Sequence, residues 1–151
     1  MKTNEFFDNM YRTGCEWQER HEAYLKRKED IVREHGYGSP ELEAWYAEKE
    51  EPFPFSSGAN KAYRAWKYSP TDEVIMEDYC WDTERHDFID TLRKASVKTF
   101  VVTNQSTGLM EDMHGYAQEG CEMLGLCTVS RVEDHFGAER EKQILGIRFM
   151  L

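Results

Sequence analysis

Two short apolar runs limit what this chain can become. EVIMEDY (residues 73–79) and KTFVVT (98–103) are each strand-like, and the fifteen residues DTERHDFIDTLRKAS (82–96) between them carry an amphipathic helical pattern. A strand, a helix and a second strand in one sheet close by the right-handed crossover, which makes the strands parallel. Their carboxyl ends then share one edge. Beyond KTFVVT the pattern continues as a helix and two further strand-like runs, LCTVSRV (126–132) and KQILGIRFML (142–151). The polar stretch EDHFGAERE (133–141) joins these two, so they are expected to pair as a hairpin.

The first third has a different period. Residues 4–35 lack proline and contain one glycine, Gly14, while Met10, Trp17, Tyr24 and Ile31 recur every seven positions beside Tyr11, Leu25 and Val32. This predicts a long helix of roughly 45 Å at 1.5 Å per residue. Such a helix must pack on neighbouring helices or a partner chain, or break near Gly14. Gly36 suits a left-handed C-terminal cap. Ser39 and Pro40 open a second helix as N-cap and first helical residue. Pro52 and Pro54 end it, and SSGANKAYRAWKYSP (56–70) predicts a third. The expected fold is α+β, with about three N-terminal helices packed on a small mixed βαβαββ sheet. Residues 1–52 are expected to form the helical region, 53–72 a connecting segment with a short helix, and 73–151 the sheet region, meeting as one compact unit.

In the helix at 82–96, Asp82 or Thr83 is the expected cap, and Phe88, Ile89, Leu92 and Ala95 are expected to face inward. In the next helix Ser106 is the expected cap and Leu109, Met110, Met113, Ala117, Cys121 and Leu124 the inward stripe, with Gly125 ending it. At the shared strand edge this topology gathers Glu77, Asp78, Thr103, Asn104, Gln105, Ser106 and Thr107. Crevices at the carboxyl ends of strands are where open α/β sheets hold ligands, and the backbone amides opening a helix favour anions. The plainer reading is that Asn104, Gln105 and Ser106 only shape the turn and cap the helix. Glu77 and Asp78 are adjacent on a strand and point to opposite faces, so only one can serve a given site.

Composition removes some functions. The net charge of −10 opposes binding to nucleic-acid phosphates and to anionic membrane surfaces. The basic strip Lys61, Arg64 and Lys67, interleaved with Tyr63, Trp66 and Tyr68, is too small to offset it. No run is long and apolar enough to span a bilayer, and no signal pattern opens the chain, so a cytoplasmic location is expected. Cys15, Cys80, Cys121 and Cys127 then remain thiols. Cys121 and Cys127, with His86 and His114 elsewhere, lack the close pair spacing of zinc sites, so no metal or other cofactor is expected. His114 flanks the apolar stripe and is expected to be partly buried. No nucleophile elbow or Gly-rich phosphate loop is present, and no catalytic residue is assigned.

FVVTNQS resembles the strand and Thr-Asn pair of haloacid-dehalogenase-like phosphatases. That family needs an Asp-x-Asp nucleophile motif on an earlier strand, whereas MEDYCWDT places Asp78 and Asp82 four apart, and the resemblance is rejected. Residues 82–151, including FIDTLRKASVKTFVVTNQSTGLMEDMHGYAQEGCEMLGLCTVSR and the terminal GIRF, resemble uncharacterised bacterial proteins, some carried on mobile elements. The resemblance implies an accessory role and supplies no catalytic residues. The favoured reading is a non-catalytic binding module, acting through a protein partner or a homodimer of the N-terminal helices. The alternatives are a small-ligand or phosphate site at Thr103–Gly108, and an acidic decoy of a nucleic-acid-binding protein.

Overall fold

The computed structural model describes residues 2–151. The chain forms two compact units: residues through Phe7 with Phe55–Leu151, and Asp8–Pro54. Of the segment expected to be a connector, 53 and 54 join the helical unit, and the rest joins the sheet unit.

The helical unit consists of most of α1 (Glu5–His35), then α2 (Pro40–Ala47) and an extended return through residue 54. α1 runs through Gly14 without a break. Gly36 ends it at φ +79, with its N–H on the Val32 carbonyl at 2.9 Å. Ser39 caps α2 by accepting from the Leu42 N–H at 3.2 Å. The apolar stripe of α1 is covered from within the unit: Tyr24 stacks on Trp45 at 4.4 Å, and Trp17 meets Phe53 edge-on at 5.2 Å. Each indole N–H is used, Trp17 on the Glu51 carbonyl and Trp45 on the Tyr24 carbonyl. Two bidentate pairs, Arg20 with Glu51 and Arg27 with Glu48, follow the same seam. Met10, Leu42 and Trp45 are this unit's buried apolar side chains among the described residues. So thin a core makes Trp45 its keystone. Trp45→Ala is expected to cost about 3 kcal/mol or more, seen as loss of amide-exchange protection across residues 40–47.

The sheet unit is α+β, as expected. α3 (Ser57–Lys67), β1 (Val74–Met76), α4 (Asp82–Lys94), β2 (Thr99–Val102), α5 (Leu109–Gln118), β3 (Glu122–His135) and β4 (Ala138–Met150) follow in order. The sheet order is β1-β2-β4-β3, with β1 and β2 parallel and the other pairs antiparallel. One face carries Val74, Met76, Phe100, Val102, Ile147 and Phe149 beneath α4 and α5. Phe100 is the hub, stacked on Phe149 at 5.3 Å and edge-on to Tyr116 and Phe88 at 5.1 and 5.7 Å. α4 buries Phe88, Ile89, Leu92 and Ala95, the face its period predicts.

α5 departs from its predicted stripe. It ends at Gln118, followed by Gly120 at φ +86, so Cys121 and Leu124 lie outside it. Its buried face is Asp112, Gly115 and Tyr116, while Met110, His114 and Ala117 are exposed. The caps differ too. Trp81, not Asp82 or Thr83, precedes α4, and its backbone N–H is taken by Glu84 at 3.2 Å. The indole has no acceptor to complete a reciprocal capping box.

The hairpin is longer than the sequence implies. EDHFGAERE is not a loop; only Phe136 and Gly137 turn, and His135 faces Ala138 across the closing pair. β1 and β2 are three and four residues long, so strands of 14 and 13 residues outgrow the sheet. The ribbon bends over the face opposite the helices. Val129 joins Ile75 and Val101 in a small second core with Cys127 and Ile144 against it, and Arg131 lies 3.8 Å from Glu77. Gly146 permits the crossing, since a Cβ there would sit 2.5 Å from the Val101 side chain. Beyond Val129 the arm is largely exposed on both faces.

Candidate functional site

The parallel register pairs Val74 with Phe100 and Met76 with Val102, and the Thr103 N–H donates to the Met76 carbonyl at 3.1 Å. The loops at 77–81 and 103–108 therefore leave the sheet side by side. Glu77, Asp78, Gln105, Ser106 and Thr107 are exposed, and Thr103 and Asn104 are half-buried. Asn104 shapes its turn by accepting the Ser106 N–H at 2.9 Å. Ser106 does not cap α5. Gly108 holds the cap position without a side-chain bond, and Ser106 contributes its carbonyl to Leu109 instead. Gly108 is required by packing, because a Cβ would stand 2.3 Å from the Tyr79 ring. The positive end of α5 already faces its own Glu111 and Asp112, which weakens its hold on an external anion.

A cleft of about 230 Å³ opens on one side of this rim. Lys61, Arg64, Ala65 and Tyr68 of α3 and its C-terminal end form one wall, and Ile75, Met76, Glu77 and Asp78 form the other. Of the seven residues gathered by sequence reasoning, only Glu77 and Asp78 line it. Lys61 is committed elsewhere, donating to the Tyr79 carbonyl at 2.8 Å and to Glu84 at 2.6 Å. Burial would raise the Glu84 carboxyl, but hydrogen bonds from Lys61, Ser57 and the Trp81 N–H outweigh it and hold the group below its ordinary value.

Beneath the rim lies a buried polar cluster that the sequence reading missed. Asp112 has no exposed surface. Its Oδ1 accepts from Arg85 Nε at 3.2 Å and lies 3.1 Å from Arg85 Nη2, while its Oδ2 accepts the Cys80 N–H at 3.3 Å. The Arg85 side chain crosses Gly115, where a Cβ would come within 2.3 Å of it. Burial pushes the Cys80 thiol up to about 11, reinforced by the Asp112 charge. Burial likewise raises the Tyr116 phenol. Neither Arg85 nor Asp112 lines the cleft. The cluster locks the 77–81 loop to α4 and α5. One signal was present in the sequence: Arg85 and Asp112 each stand at a core-period position, three residues before Phe88 and four before Tyr116.

Two measurable consequences arise here. A neutral-pH thiol reagent should label the exposed Cys15 promptly and Cys80 only on unfolding; rapid Cys80 labelling in the native protein would contradict the cluster. His86 Nδ1 lies 3.0 Å from Glu119, and that hydrogen bond raises the imidazole above its ordinary value. The imidazolium contact therefore stabilises fully below the unfolded pKa of about 6.5 and is lost as pH rises through the folded one. The NMR titration midpoint of His86 should fall in Glu119→Gln.

Among the described residues no group of three or more His, Cys, Asp or Glu is placed to hold a metal ion. No helix among them is long and apolar enough to cross a membrane. A family model described as Domain of unknown function (DUF7698) matches residues 59–151. The chain belongs to this family. No curated protein and no solved structure matches the chain. The family domain starts inside α3 and takes in the entire sheet, the cleft, the Arg85–Asp112 cluster and the arm.

Proposed function

We propose that this is a non-catalytic binding module that works in an accessory role and contacts its protein partner through the β3–β4 arm. The observation that carries this reading is Phe136 at the tip. Its φ is +54, a conformation natural to Asn, Asp or Gly and costing other residues of order 1 kcal/mol. Its side chain is fully exposed. A large aromatic residue in a disfavoured conformation and without cover suits a contact made outside the chain. β3 adds an unpaired sheet edge, the usual template for strand addition. The likeness of residues 82–151 to bacterial proteins, some on mobile elements, favours the accessory role and a cytoplasmic setting. The N-terminal helices offer less as a homodimer surface, since Trp45 and Phe53 already cover much of the α1 stripe.

A photo-crosslinking residue at 136 tests this, with exposed Met110 on α5 as the control position. The expected result is a discrete adduct from 136 and none from 110. No adduct, with thermal stabilisation by a nucleotide, phosphate or divalent ion that Asp78→Ala abolishes, would overturn the reading in favour of a ligand site.

That second reading rests on the cleft, where Arg64 opposes Glu77 and Asp78 as a polar ligand of mixed charge would require. Thr103, Asn104, Gln105, Ser106 and Thr107 would serve it only as an outer rim. An acidic decoy is less favoured, because Glu48 and Glu51 are paired with arginines rather than presented as a free row.

A further inference from the structure

We propose that the occupant of the β3 edge is a second copy of this chain, paired antiparallel about a two-fold axis at Val132. This rests on the arm being the contact surface. The hairpin itself limits the registers. A two-residue turn closed by His135 and Ala138 commits the odd-numbered residues of β3 near the tip to hydrogen bonds with β4. The even-numbered residues Thr128, Ser130, Val132 and Asp134 then direct their N–H and C=O groups to the free edge. Two such edges meet only when even faces even, so the axis falls on a residue and not between two.

Charge then selects among those axes. An axis at 131 places Arg131 against Arg131 of the second copy, and an axis at 133 places Glu133 against Glu133. The axis at 132 places Arg131 against Glu133 twice and Val132 on itself, with Ser130 opposite Asp134. Arg131 is free to engage, since its 3.8 Å approach to Glu77 is at the long limit of an ion pair. The arm is close to neutral: Arg131, Arg140 and Lys142 stand against Glu133, Asp134, Glu139 and Glu141. The −10 charge of the chain is therefore not concentrated where the copies would meet.

The apolar side chains agree with the same register. Leu126, Thr128 and Val132 share one face of β3, and Leu145 lies across from Thr128 on that face. Leu126 is 74% exposed, Val132 57% and Leu145 51%. With the axis at 132, Phe136 of each copy arrives opposite Thr128 of the other, over Leu126 and Leu145. One arrangement thus covers the tip aromatic and the three exposed aliphatic groups, satisfies the edge amides and pairs the charges. It joins two four-stranded sheets into one.

Sedimentation equilibrium of the full chain across the micromolar range tests the proposal. The wild type should be dimeric, and Arg131→Glu and Glu133→Arg should each weaken association by about tenfold or more, because each puts like charges opposite one another twice. The double variant R131E/E133R should return to wild-type association. Arg131 is exposed, whereas Glu133 is half-buried and lies 3.8 Å from Lys142, so a circular-dichroism melt of each variant must first show it folded before its association is compared with the wild type. A wild type that stays monomeric throughout, or single and double variants that associate alike, would overturn the proposal. If the chain is monomeric while residue 136 crosslinks to a different protein, self-pairing falls and the arm stands as a contact surface. If it is monomeric and 136 yields no adduct, both fall.

Discussion

Arg85→Met should destabilise the sheet unit by about 3–5 kcal/mol, because it leaves the Asp112 carboxylate buried without its cation. The methionine keeps the part of the stem that lies over Gly115 but not the guanidinium atoms beside it, so the loss combines the charge with some packing. Burial already raises the Asp112 carboxyl, and Arg85 is among the groups holding it down. Without Arg85 the folded value rises further above the unfolded one. The folded variant then holds a proton that the unfolded chain has released, and the penalty shrinks as pH falls through the folded pKa. Urea midpoints of wild type and variant should therefore converge at pH 5 and diverge at pH 8. Removing both charges should recover much of the loss, but the replacement for Asp112 matters. Asn can still accept the Cys80 N–H, whereas Leu leaves it unsatisfied at about 1–3 kcal/mol. R85M/D112N should thus be more stable than R85M/D112L. Equal stability of the two would show that the Cys80 contact contributes nothing.

Phe100→Ala should cost a comparable amount, about 3–5 kcal/mol. The side chain is fully buried and touches the rings of Phe88, Tyr116 and Phe149, which arrive from α4, α5 and β4. Those elements cannot all move in to fill the space, since β4 is fixed by ladders on both sides and Gly115 holds α5 against Arg85. Denaturant unfolding followed by far-ultraviolet circular dichroism would measure it. A loss under about 1 kcal/mol, as for an ordinary surface change, would mean the core is not centred on this ring.

Where a polar face opposes a buried one, the sequence could be read. α4 shows its core face directly, since Phe88, Ile89 and Leu92 recur at helical spacing between charges. Gly36, Ser39 and Pro40 mark their helix ends because each does one conformational job. α5 misled for a physical reason: it buries an aspartate and exposes Met110, so hydropathy points to the wrong side. The pairing that permits this lies on another helix, 27 residues away, at Arg85. The arm misled for the opposite reason. Residues 133–141 bury neither face, so no alternation of apolar and polar side chains records that they are strands. The parallel β1–β2 edge followed from the crossover rule, and the residues expected at the two strand ends are there. Their division, with Glu77 and Asp78 in the cleft and Thr103–Thr107 outside it, depends on where α3 packs, which no local pattern encodes.

β4 comes fourth among the four strands in chain order but is not at the edge of the sheet. It lies between β2 and β3, and Ile147 and Phe149 have partners on both sides. During folding, the parallel pair and the far strand stay separate pieces until residues 147–150 dock between them. Until then Phe100 and Val102 lack one neighbour and are exposed to chaperones or to premature association. A chain truncated just before Ile147 would keep its parallel pair and its hairpin but lack the segment that joins them.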